Sequence, residues 1–143
     1  MKLSTGKVAF LIEFDNGDKD YIYFNPSDPN LSVRLTDFQE KIAAKIKEID
    51  GIRLNEEGKP EDNSFVEDFR KFQNFLFEEL DIAFGGKVSE IVFKHCSPFA
   101  IVDGDYFIIQ FIEAIKPEIE KHVKQANADI EKKMAKHLNK YKK

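Results

Sequence analysis

Two runs rich in β-branched and aromatic residues, Val8 to Phe14 and Lys19 to Phe24, are separated only by Asp15, Asn16, Gly17 and Asp18. An Asn-Gly pair between such runs is the strongest short-range signal for a β-hairpin. Alternation along the runs puts Phe10, Ile12 and Phe14 on one face of the first strand. On the second strand it puts Tyr21 and Tyr23 on one face and Ile22 and Phe24 on the other. An isolated hairpin is marginal in water, so the rest of the chain must cover one side of this one.

The next segment is helical. Pro26 and Pro29 cannot donate to a ladder and stop the second strand. Asp28 fits the N-cap of a helix that carries Pro29 at its first position. Leu31, Leu35, Phe38, Ile42, Ile46 and Ile49 mark the buried face of that helix, and Gly51 ends it. The polar stretch from Asp50 to Ser64, with Gly58 and Pro60, reads as an exposed loop with a protease-sensitive tip. After Ser64, a second helix places Phe65, Phe69, Phe72, Leu76, Leu80 and Ala83 on one stripe. Phe75, Phe77, Ile82 and Phe84 widen its apolar arc, which marks it as the central helix. Gly85 and Gly86 close it. A short helix or turn over Val88 to Phe93 leads into an irregular segment from Lys94 to Gly104 around Pro98, with extra strands at Ile101 and Val102 left open. A helix runs from Tyr106 to Ile115, and periodicity continuing through Ile119 predicts little break at Pro117.

The 143 residues contain no linker-like stretch and fit one domain: a hairpin over 1–26, a helical body over 28–115 and a C-terminal amphipathic helix over 116–143. The expected class is α+β, an antiparallel hairpin packed on about four helices, the last one long. Fourteen Phe and four Tyr supply bulky core material in the absence of Trp. A net charge of −4 disfavours a nucleic-acid binder, which needs a basic face over its footprint. Cys96 is the single cysteine, so an intrachain disulfide is excluded and a reducing cytosol is the natural compartment. The first fourteen residues close on acidic Glu13 and do not read as a signal peptide, and no apolar run approaches the roughly 18 residues of a membrane span.

Chemistry-bearing clusters are sparse. His95 and Cys96 are adjacent, but neighbouring side chains diverge, and a nucleophilic thiol needs a base aimed at its sulfur. His122 and His137 lie on the terminal helix without metal-ligand spacing. Asp15, Asp18 and Asp20 belong to a turn that selects such residues for backbone geometry, and the turn lacks the bidentate Glu of a calcium loop. Glu67, Asp68, Glu78 and Glu79 read as a solvated face. Gly85, Gly86 and Lys87 lack the spacing and hydroxyl of a phosphate cradle. No catalytic residue, metal or cofactor is therefore expected.

The terminal helix carries the one signal of a docking surface. Ile119, Val123, Ala126, Ile130, Met134, Leu138 and Tyr141 recur three or four residues apart, a narrow stripe among charges. From Lys116 to Lys143 there are nine lysines against four carboxylates, a net +5, whereas the remainder carries −9. The stripe can pack on the body, on a second copy or on another protein. Lys124, Lys132, Lys133 and Lys136 are placed to steer an acidic partner.

The segments YIYFNPSDPNLSVRL and FEELDIAFGGKVSEIVF, followed by a Lys-rich helix ending near Tyr141, resemble small proteins encoded among the tail genes of phages and prophages of Gram-positive bacteria. Within that group the chain is similar to the tail assembly chaperones, in which an Asp-x-x-Phe-Gly-like step, here Asp81 to Gly85, follows a helix. The resemblance implies a non-catalytic protein that reversibly binds the helical tape-measure protein and keeps it soluble during tail assembly in the bacterial cytosol. It implies that the terminal stripe supplies the apolar contacts and that NPSDPN with Arg34 is structural. A second function fits small size and surface charge equally: binding a host defence protein as inhibitor or trigger.

Overall fold

The computed structural model describes residues 1–50 and 63–141. The 51–62 stretch, which holds most of the expected exposed loop, and the side chains of Ile46, Ile49, Phe65 and Tyr141 lie outside the described residues. The fold is α+β. An antiparallel hairpin, β1 (Val8–Glu13) and β2 (Lys19–Phe24), is succeeded by α1 (Pro29–Asp50), α2 (Asn63–Phe84) and the four-residue α3 (Ser89–Val92). A miniature hairpin, β3 (Ile101–Val102) and β4 (Asp105–Tyr106), then leads into α4 (Phe107–Tyr141).

The turn of the first hairpin is a three-residue loop. Gly17 donates its N–H to the Phe14 carbonyl at 3.0 Å, and Phe14 donates back across the loop to Asp18 O at 2.8 Å. Gly17 has φ 88°, while Asn16 stays out of the left-handed region. This is a type I turn closed by a glycine bulge; the mirror-image two-residue turn would need positive φ at both central positions. Asn16 Oδ1 accepts from Asp18 N at 2.9 Å and stiffens it.

Alternation then sorts the side chains. Ile22 and Phe24 are almost fully buried, Val8, Phe10 and Ile12 partly so, and Leu11, Tyr21 and Tyr23 remain exposed on the opposite face. An aromatic chain ties hairpin to helices: Phe10 stacks on Phe24 at 4.4 Å, Phe24 meets Phe84 of α2 edge-on at 4.8 Å, and Phe84 meets Phe111 of α4 at 5.9 Å. Leu31, Leu35, Phe38 and Ile42 of α1 join Leu76 and Leu80 of α2 in the same core. Of the wide apolar arc of α2, Phe84 is buried and Phe77 packs on Phe93 at 5.4 Å, but Phe75 and Ile82 are exposed.

Helix ends obey the local chemistry. Asp28 Oδ1 accepts from Asn30 N at 3.0 Å, the N-cap geometry expected of Asp28-Pro29. At the C-terminus of α2, Gly85 with φ 73° donates to Asp81 O at 2.8 Å. Two cations complete that end, Lys7 donating to Gly85 O at 3.0 Å and Arg34 to Ile82 O at 2.8 Å, where helix carbonyls attract positive charge. The segment after Lys94 is more ordered than its composition suggests. Asp103 and Gly104 both have positive φ, 52° and 83°, which builds the mirror-image type I turn of a tight hairpin. β3 and β4 form their own two-stranded sheet and do not extend β1 and β2.

The terminal helix begins earlier than a boundary at 116 implies: α4 passes through Pro117 without interruption. Pro117 and Glu113 both face solvent, so the helix loses one N–H partner for the Glu113 carbonyl on its wet side, where the loss costs least. At 35 residues, α4 is about 50 Å long.

Candidate protein-docking surface

The chain's own packing divides the α4 stripe in two. Ile119 is buried to 7% exposure and Val123 packs against the same core, so these two of the expected partner-binding residues are already covered by the body. Ala126 is half-buried. Beyond it every residue from Asn127 to Leu138 is exposed, with Ile130 at 55% and Met134 and Leu138 at 59% each. Lys124, Lys132, Lys133 and Lys136 are exposed as well, whereas the Tyr141 side chain lies outside the described residues.

The spacing changes where the body ends. Ile119, Val123, Ala126 and Ile130 alternate steps of four and three, which keeps them on one line. Ile130, Met134 and Leu138 are separated by steps of four, and four residues at 100° each overshoot a full turn by 40°. The distal three therefore form an i, i+4, i+8 ridge that winds away from the core-facing line. On a helical wheel Lys133 and His137 flank one side of this ridge, and Asn127 and Glu131 the other, while Lys136 lies on the opposite face. Lys133, Met134, His137 and Leu138 line a shallow apolar hollow. Spacing alone does not mark exposure, since Phe111, Ile115, Ile119 and Val123 are also four apart and pack in the core; the ridge is exposed because the body ends before it.

The other chemically suggestive residues are engaged structurally. Lys94 reaches Asp18 at 2.8 Å and Asp20 at 3.2 Å, and His95 Nε2 lies 2.9 Å from Asp18 Oδ2. The same loop covers Phe14, with His95 edge-on at 4.7 Å and the Lys94 ammonium 5.3 Å from the ring centre. His95 thus faces the hairpin tip. Burial, helped by the negative charge of Asp15, pushes the Cys96 thiol above its ordinary value, which favours the unreactive protonated form. Among the described residues no group of three His, Cys, Asp or Glu side chains is arranged to hold a metal ion. No helix among them is long and apolar enough to cross a membrane.

The tip clamp has a pH signature. Hydrogen bonds from Lys94 and then from His95 hold the Asp18 carboxyl below its ordinary value; Asp20 is lowered by the Tyr21 N–H and then by Lys94. Both groups ionise more readily folded than unfolded, so their contribution is complete above the unfolded carboxylate range near about pH 4 and is lost as pH falls through the depressed folded values. Hydrogen exchange at the Phe14 amide, corrected for intrinsic rate, is therefore expected to accelerate below about pH 4. Lys94→Ala is expected to abolish most of that acceleration; an identical pH profile in the variant would contradict the assignment.

No protein-family model matches the chain, and no curated protein or solved structure matches it. Function therefore rests on the geometry of the surface itself.

Proposed function

We propose that this is a non-catalytic protein-binding protein that presents the distal ridge of α4 to an amphipathic helix of another protein. The observation that carries this reading is a helix exposed on every side for twelve consecutive residues while holding Ile130, Met134 and Leu138 in one row. Apolar side chains aligned at helical spacing on an otherwise charged helix fit a helix-in-groove or helix-on-helix partner. Because the row has i, i+4, i+8 spacing, it packs between the corresponding rows of a partner at a crossing angle of about 50°, not along a coiled-coil seam. Met134 adapts to varied partners, and Lys133 favours an acidic flank on the incoming helix.

Taken with the resemblance of its segments to phage tail assembly chaperones, the chain acts as a chaperone of the tape-measure protein in the host bacterial cytosol. Reversible binding to a small ridge suits a protein that must leave as the tail tube polymerises. Affinity purification from infected cells with mass spectrometry tests the assignment. Tape-measure protein is expected in the bound fraction with the wild-type chain and absent with a ridge-substituted one. Recovery of a host defence factor alone replaces the chaperone reading with that of an inhibitor or trigger.

A further inference from the structure

The free edge of β1 is a second unpartnered feature, independent of α4's ridge. Phe14 pairs with Asp18 through the hydrogen bond at the turn. Alternation along the ladder then directs the N–H and C=O groups of Ile12, Phe10 and Val8 toward β2 and those of Glu13, Leu11 and Ala9 away from it. Among the described residues no strand other than β2 pairs with β1. A groove of about 280 Å³ runs along that edge: it touches all five successive residues from Phe10 to Phe14 and is closed on its far side by Phe107, Gln110, Phe111 and Ala114 of α4. Outward backbone groups above an apolar floor form a template for one more strand.

We infer that the added strand is β1 of a second copy of this chain, paired antiparallel about a two-fold axis at Phe10. The charges of the strand are self-complementary in that register. With Phe10 opposite Phe10, Ala9 faces Leu11 and Lys7 faces Glu13 of the second copy, and symmetry makes each contact twice. The parity is correct, because Ala9, Leu11 and Glu13 turn their backbone groups outward, and Lys7, one residue before the strand, falls in the same alternation. Sliding by two residues in one direction puts Glu13 opposite Ala9, and in the other direction opposite Thr5; neither keeps the ionic match inside the ladder. Both charged side chains are exposed: Lys7 would exchange its bond to Gly85 O at the end of α2, and Glu13 its 3.8 Å contact with Lys19, for the pairing across the two-fold axis.

The product is a four-stranded sheet with both helical bodies on one side. Its outer face carries the row Tyr21, Leu11, Ala9 of the second copy and Tyr23 of the second copy, which sets exposed apolar side chains of the two copies side by side. Ala114, exposed at the groove, leaves room for the second body. A hairpin that is marginal as two strands is stabilised as the centre of four.

Sedimentation equilibrium on the full chain tests this directly. The wild type is expected at twice the chain mass of 16.6 kDa, while Lys7→Glu and Glu13→Lys each weaken the dimer roughly tenfold by placing like charges opposite one another twice. The double variant is expected to recover wild-type association. Leu11→Pro removes an outward N–H without touching the β1–β2 ladder and is expected to be monomeric. Circular dichroism confirms folding of each variant. A wild type that stays monomeric throughout the micromolar range overturns the inference. So does a dimer insensitive to the single swaps, weakening without rescue in the double variant, or a dimer that Ile130→Gln with Leu138→Gln dissolves.

Discussion

Replacing Ile130 and Leu138 together by glutamine is expected to weaken partner binding at least about 100-fold while changing stability by no more than about 0.5 kcal/mol. The two halves of this expectation have separate causes. Each aliphatic side chain buried against a partner contributes about 1.5–3 kcal/mol, and a buried amide without a hydrogen-bond partner adds a further penalty. In the free chain both positions are more than half exposed, and glutamine is a good helix former, so the monomer has little to lose. Ile119→Gln provides the contrast. That side chain is at 7% exposure in the chain's own core, and its replacement is expected to cost about 3 kcal/mol or more of unfolding free energy. Isothermal titration against the captured partner and thermal unfolding of the two variants measure both effects. Full-strength binding by the Ile130/Leu138 variant would falsify the docking role of the ridge.

That one helix is buried along its first half and exposed along its second was only partly legible in its residues. The apolar positions from Ile119 to Leu138 announce themselves by spacing, but exposure depends on where the body stops, and the body is built by Phe24, Phe84 and Phe111, far away in the chain. The hairpin and the start of α1 were readable because Gly17 and Asp28-Pro29 act on their immediate neighbours. Strands at Ile101 and Val102 stayed an open question for the opposite reason: strands of two residues have no periodicity, and their one local mark is the Asp103-Gly104 pair. The clamp of Lys94 and His95 on Asp18 joins residues more than seventy positions apart, beyond the reach of any spacing rule. The free edge of β1 was hidden differently, since it arises where no third strand among the described residues lies beside a strand that reads as ordinary.

Asp81 shows how much a single side chain can hold where sequence offers only a glycine-rich stop. Its Oδ1 accepts from Val88 N at 2.9 Å and Ser89 N at 2.8 Å, and Oδ2 accepts from Ser89 Oγ at 2.9 Å. At the same time its carbonyl receives the N–H groups of Gly85 and Gly86. One residue therefore ends α2 and starts α3, fixing the sharp reversal that sets Val88 and Val92 into the core beside Phe84. α3 is too short to stabilise itself, and Val88, with no capping side chain of its own, relies on this reach across the turn. Asp81→Ala removes three acceptor contacts and leaves the N–H and hydroxyl of Ser89, a buried residue, without a partner. The expected loss is about 3 kcal/mol in denaturant unfolding. Asp81→Asn keeps an oxygen for both backbone donors and offers Ser89 Oγ an N–H to accept, so it is expected to lose about 1 kcal/mol or less. Asp81→Leu keeps the branched shape of asparagine without its acceptors and is expected to lose as much as Asp81→Ala, because the Ser89 donors are again left unpaired; a leucine variant as stable as Asp81→Asn would make the role of position 81 one of packing.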